Sequence, residues 1–199
     1  MSKESLVVID ADHELTKIIT KLNGLRNQLG APDTFRKALN STGRAVRKQI
    51  IKDAKGEYAI SDRKALTDKK KGGPELLPAS TSTLAATIRS RGPMQDIMAF
   101  MTHPNTETGA AAAKVLNSSQ LKALEVDGLK AFVARFSSGH VAIVQRLGPE
   151  RLPVKKLLSP SVPHMLNNEA VRSKAEAMTY EMLQREIERQ IDSVWRKSA

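Results

Sequence analysis

Lys130-Ala131-Phe132-Val133-Ala134-Arg135-Phe136-Ser137-Ser138-Gly139-His140-Val141-Ala142-Ile143-Val144-Gln145-Arg146 is the stretch that decides the fold. Two strand-like runs, 131–136 and 140–146, flank a Ser-Ser-Gly turn, the strongest hairpin signal in the chain. Arg151-Leu152-Pro153-Val154 follows, then Ser159-Pro160-Ser161-Val162-Pro163-His164-Met165. The order is a buried strand, a basic turn, a proline-braced crossing and the start of a long helix.

Working outward toward the C-terminus, Asn167 or Asn168 caps a final helix predicted over 168–197. Val171, Ala175, Met178, Met182, Ile187, Ile191, Val194 and Trp195 form its apolar stripe. About 30 residues at ~1.5 Å each make ~45 Å of helix. A domain of this size has a radius of gyration of only ~16 Å. The helix is therefore expected to project, in part, to a neighbouring subunit.

Toward the N-terminus, Leu6-Val7-Val8-Ile9 reads as a short strand. Asp10 or Asp12 caps a first helix with Leu15, Ile18, Ile19, Leu22, Leu25 and Leu29 at helical steps, and Gly30 ends it. Pro32 opens a second helix through Phe35, Leu39, Val46, Ile50 and Ile51. Ser61 caps a short basic helix, Asp62 to Lys70. Residues 69–82 and 102–112 read as loops, and 83–89 as a strand with Leu84, Ala86 and Ile88 on one face. Residues 93–128 have no clear period, although 113–116 and 121–126 each have strand character. The prediction is a single α+β domain over 1–199: an N-terminal helical pair, an antiparallel sheet with a hairpin near 130–146, and a long C-terminal helix.

Of the 199 residues, 40% are hydrophobic and only seven are aromatic, so the core must be built from Leu, Ile, Val, Ala and Met. The absence of cysteine excludes disulfides, thiolate metal sites and cysteine nucleophiles. No leader pattern and no apolar run of membrane-spanning length is seen, so the expectation is a soluble protein in a cytoplasm. The net charge of +11 is uneven. Residues 1–30 and 168–199 each sum to zero, 33–91 carries +8, 130–156 carries +5, and 92–129 carries −2. A basic middle with neutral ends suits either a surface facing a polyanion or acidic partner, or a solvated face that keeps the protein in solution.

Catalytic patterns are missing. His13, His103, His140 and His164 do not stand at metal-ligand spacing, and there is no phosphate loop or nucleophile elbow. Asp10, Asp12 and Glu14 lack the rest of a calcium loop, and helix capping explains them better. The expectation is no catalytic, metal or cofactor site, and not an enzyme. Lys69-Lys70-Lys71 before a glycine pair is either a contact for a polyanion or a mobile basic loop. Sparse aromatics argue against base stacking on single strands.

The segment 130–168 resembles the minor tail protein Z family of tailed bacteriophages, related to neck and tail-completion proteins. The resemblance rests on the hairpin, on Arg146, on Arg151-Leu152-Pro153-Val154, and on Ser159-Pro160-Ser161-Val162-Pro163-His164-Met165-Leu166, where members commonly carry Gly-Pro-Ser-Val-Pro. Ser159 replaces that glycine. The resemblance implies a structural virion protein at the head-proximal end of a tail, a ring-forming component that completes or terminates the tube and enables head–tail joining. It implies partners in further copies of itself (a hexameric ring), in the tail tube protein and in head-closure or connector proteins, with viral DNA a further contact and no membrane. The implied location is the virion neck, with host cytoplasm during assembly. On that reading Arg146, Arg151, Lys155 and Lys156 meet an acidic partner surface. Pro153, Pro160 and Pro163, with Ser161, hold the crossing extended at the interface, or else only brace an intramolecular loop. The alternative is a basic nucleic-acid-binding protein contacting packaged or cytoplasmic DNA.

Overall fold

The computed structural model describes residues 5–10, 31–62, 64–104 and 109–198. In chain order the elements begin with β1 (Ser5–Asp10), α1 (Ala31–Glu57), β2 (Glu75–Leu77), β3 (Ala85–Ser90), β4 (Gln95–Asp96), β5 (Met101–His103), β6 (Gly109–Ala110) and β7 (Ala112–Lys114). They continue with β8 (Lys122–Ala123), β9 (Glu125–Val126), β10 (Leu129–Lys130), β11 (Phe132–Arg135), β12 (Val141–Arg146), β13 (Val154–Lys156), β14 (Leu158–Ser159), α2 (Val162–Leu166) and α3 (Glu169–Ser198). The class is α+β with small antiparallel sheets. The described residues fall into two compact units. One is drawn chiefly from Asp53–Gly73 and Arg91–Met165, the other from Glu4–Lys52, Pro74–Ser90 and Leu166–Ala199.

The second unit is built on the two long helices. Of the expected helical pair, α1 is present; the other helix falls on residues 11–30, outside the described residues. In α1, Phe35, Leu39, Thr42, Val46 and Ile50 recur every three or four residues and are buried. Asp33 in the first turn pairs with Arg36 and Lys37, which with the helix dipole suits a carboxylate there. Phe35, Ala38 and Leu39 pack with Ala79, Ala86, Leu183 and Ile187, and Leu76, Leu84 and Ile191 rim the cluster. The stripe of α3 is thus buried within the chain at Val171, Ala175, Thr179, Leu183 and Ile187. Toward its C-terminal part the stripe packs in the cluster through Leu183, Ile187 and the rim residue Ile191.

In the same unit β1, β3 and β2 form a sheet with β3 central, in register Val7↔Ile88 and Leu76↔Ile88. Strand β3 buries Ala86, Ile88 and Ser90 in alternation. The predicted loop 69–82 therefore contains a strand, because Leu76 is held at the hydrophobic cluster while β2 pairs with β3. Asn40 fixes the segment that follows: its Nδ2 donates to Ala79 O (3.0 Å) and its Oδ1 accepts from Ala79 N (2.7 Å).

In the first unit the hairpin is as read: β11 and β12 pair antiparallel, with Phe132↔Val144 and Arg135↔Val141. The turn closes by Phe136 N donating to His140 O and Gly139 N to Phe136 O, with Gly139 at φ +80°. The sheet order is β13-β12-β11-β6. Ile97, Ala111, Ala113, Ala131, Val133 and Ile143 form its core. The unreadable stretch 93–128 resolves into strands of two or three residues, too short to show a period. The loop predicted at 102–112 is bounded by β5 and contains β6; residues 105–108 lie outside the described residues.

Two further expectations are corrected. The basic helix at Asp62–Lys70 is a pair of turns, because Asp62 Oδ1 accepts from Lys64 N (3.0 Å) and Asp68 Oδ1 from Lys70 N (2.9 Å). Such side-chain bonds satisfy the backbone without a helix. The crossing at Pro163 is not extended. Pro163 lies in the first turn of α2, where a missing N–H is harmless, and Ser161 Oγ accepts from His164 N at 3.4 Å. Asn168 then caps α3, its Oδ1 accepting from Ala170 N (2.9 Å).

Candidate partner-binding site

Strand β12 leaves the core within three residues. Ala142, Ile143 and Val144 are buried, Gln145 is half-buried and Arg146 is exposed. Strand β13 returns antiparallel, Arg146 opposite Val154 and Gln145 opposite Lys155. The connection 147–153 between them is closed at its base by Leu147 N donating to Pro153 O at 3.2 Å. Its two leucines point outward: Leu147 is 62% and Leu152 67% exposed. Arg146, Glu150 and Arg151 are exposed beside them. A turn that leaves two leucines in water, each beside an arginine, forgoes burial of both, which amounts to about 1.5–3 kcal/mol for each leucine fully buried.

The structure sorts the candidate residues. Arg146, Arg151 and Lys155 are exposed on or next to this turn. Arg146 also lies over the Phe132 ring, its guanidinium carbon 5.6 Å from the centroid. Lys156 is engaged inside the unit: its Nζ is 2.7 Å from Asp96 Oδ2 and 3.4 Å from His140 Nε2. His140 in turn stacks on Phe136 with centroids 6.3 Å apart. Pro160 is half-buried, and Ser161 and Pro163 are buried. The last two lie at the start of α2, where Ser161 Oγ accepts from His164 N. Among the predicted interface residues, then, Arg146, Arg151 and Lys155 lie on or next to one turn, which Pro153 closes, while Lys156 is paired with Asp96 and Ser161 and Pro163 lie at α2.

Sequence reasoning missed Leu147 and Leu152. Both lie among Gly, Pro and Arg, a context that reads as a polar turn whatever the leucines do. Their signal was present as apolar residues in a turn composition, and exposure gives them meaning.

The lysine cluster is divided as well. Lys69–Lys71 form a single 3-10 turn, in which successive side chains point about 120° apart. Lys71 turns back to Asp62, Nζ to Oδ2 2.6 Å, while Lys69 and Lys70 are exposed. The hydrogen bond from Lys71, with a second from the Lys64 amide, holds the Asp62 carboxyl below its usual range.

Among the described residues no group of three or more His, Cys, Asp or Glu side chains could hold a metal ion. No helix among them is long and apolar enough to cross a membrane. No protein-family model, curated protein or solved structure matches the chain.

Proposed function

We propose that this chain is a structural component of the head-proximal end of a phage tail. Copies assembled into a ring complete or terminate the tail tube and enable head–tail joining, with the 146–153 turn as the element that engages a neighbouring protein. The observation that carries this reading is the exposure of Leu147 and Leu152, each next to an exposed arginine (Arg146 and Arg151), on a turn closed at its base. Apolar anchors flanked by arginines suit a partner groove that is apolar within and acidic at its rim. The same turn lies inside the segment that resembles the minor tail protein Z family. Closed cyclic symmetry is the general means by which one such contact, repeated, builds a ring.

The test is Arg146→Glu with Arg151→Glu, in the phage that encodes the chain. The variant is expected to fold normally, because both side chains are exposed, and to yield heads and tails that do not join. Normal infectious particles would overturn the proposal.

A further inference from the structure

The turn Asp68–Gly73 is braced far more firmly than an exposed basic loop needs. Asp68 caps it, Gly72 ends it in the left-handed region at φ +100°, and Gly73 N donates to Asp68 O at 2.8 Å. Its backbone is packed directly on other backbone. A Cβ added at Gly92 would lie 2.5 Å from Lys71 O and 2.6 Å from Gly72 Cα, and one at Gly73 would lie 2.6 Å from Thr67 C. The buried Gln95 donates through Nε2 to Lys71 O and Pro93 O, both at 3.0 Å. Lys71 is tethered to Asp62. Asp68 Oδ1 accepts from the Lys70 amide at 2.9 Å. What the braced turn presents outward is Lys69 and Lys70, with the exposed Lys64 and Arg91 flanking it in the chain segments that form the brace.

We propose that this turn is a phosphate-backbone contact site for duplex nucleic acid. Lysine is a compact point charge that suits a phosphate without demanding bidentate geometry. Fixing the backbone in advance lowers the entropy lost when the cations meet their ligand. An acidic protein groove is the less suitable occupant. In contrast to the 146–153 turn, no large hydrophobic side chain is exposed among the described residues of 61–73. A duplex backbone offers charge and no apolar pocket, which matches this surface. The site is separate from the 146–153 turn, and the inference does not depend on the phage reading.

The experiment measures fluorescence anisotropy of a labelled duplex of about 30 base pairs across a salt series, where the slope counts phosphate contacts at about 0.9 each. Lys69→Glu with Lys70→Glu is compared with Lys122→Glu with Lys130→Glu, exposed lysines elsewhere in the same unit and an identical change in net charge. The expected result is that the 69/70 variant loses about tenfold in affinity and about 2 in salt slope, while the 122/130 variant loses much less. Equal losses in the two variants would overturn the site, since only net charge would matter. So would duplex binding that the 69/70 variant leaves unchanged, or the absence of duplex binding by the wild-type chain. Poly-glutamate binding that depends on Lys69 and Lys70 without duplex binding would assign the turn to an acidic protein instead. A third variant, Gly92→Ala, keeps every charge and displaces the brace. If it is folded by circular dichroism, it should weaken duplex binding, and wild-type affinity in the folded variant would show that the brace has no part in binding and overturn that element of the proposal.

Discussion

Arg146 lies over the Phe132 ring, 5.6 Å from guanidinium carbon to centroid, across the β11–β12 pair. Phe132 is opposite Val144, two residues before Arg146 on β12, so the contact is a cross-strand diagonal. It limits the directions the guanidinium can take at the base of the 146–153 turn. A double-mutant cycle of Arg146→Ala and Phe132→Leu, read by urea unfolding, is expected to return a coupling of about 0.5–1 kcal/mol. A coupling indistinguishable from zero would show that the arginine is positioned by the strand alone.

Asn40 is a single side chain that satisfies both backbone groups of Ala79 from inside α1. Asn40→Leu should lower stability by about 2–4 kcal/mol, because it strands a buried donor and a buried acceptor together. Asn40→Asp should also destabilise, since a carboxylate can accept from Ala79 N and has nothing to offer Ala79 O. Denaturation midpoints check both. A neutral Asn40→Leu would mean that the 78–80 segment rearranges freely.

Gly56 and Gly92 should respond oppositely to the same substitution. Gly56 lies in the last turn of α1 and a Cβ there meets nothing within 4 Å. Gly56→Ala should stabilise by about 0.5–1 kcal/mol through helix propensity and the unfolded chain. Gly92→Ala drives a Cβ into the Lys71 and Gly72 backbone and should destabilise by a few kcal/mol, the upper range for single substitutions. Thermal melting of the two variants side by side decides the matter.

The C-terminus of α1 should depend on a residue sixty positions away. Asn117 Nδ2 donates to Gly56 O at 2.8 Å and lies 3.3 Å from both Lys55 O and Tyr58 O, while Asn117 N donates to Glu57 O. These are the carbonyls a helix end leaves without partners. Asn117→Ala should cost about 1 kcal/mol and raise amide exchange in the last turn of α1 selectively. Uniform exchange across the helix would contradict a capping role.

Acid should dissolve the tether beneath the lysine turn. The Asp62 carboxyl is held low by Lys71 and the Lys64 amide, so folding favours its ionised form. Its contribution is present above the unfolded-state value near 4 and is lost as the pH falls through the depressed folded value. Asp62→Asn should therefore be less stable than wild type at pH 7, with the gap closing as the pH falls below the unfolded-state value near 4. A gap that stays constant below that value would mean the ion pair contributes nothing.

By itself the sequence determined the elements whose pattern is local and long. The helical repeat of Phe35, Leu39, Val46 and Ile50 announced α1, and Ser137-Ser138-Gly139 between two apolar runs announced the hairpin, because periodicity and turn chemistry are written in neighbouring residues. Asn168 before a helical stripe announced α3. The tertiary structure alone decided what depends on distant partners. Strands as short as β4 and β8 exist only because another strand satisfies their backbone, so two residues carry no pattern of their own. Pro163 reads as extended by composition and becomes helical once Ser161 accepts from His164 N. The candidate sites divide in the same way. The positive charge of 69–71 and 146–156 was visible at once. Which lysine is tethered to Asp62 or Asp96, and which leucines stay in water, follows from contacts across the fold, and those contacts turn a stretch of charge into a surface with a shape.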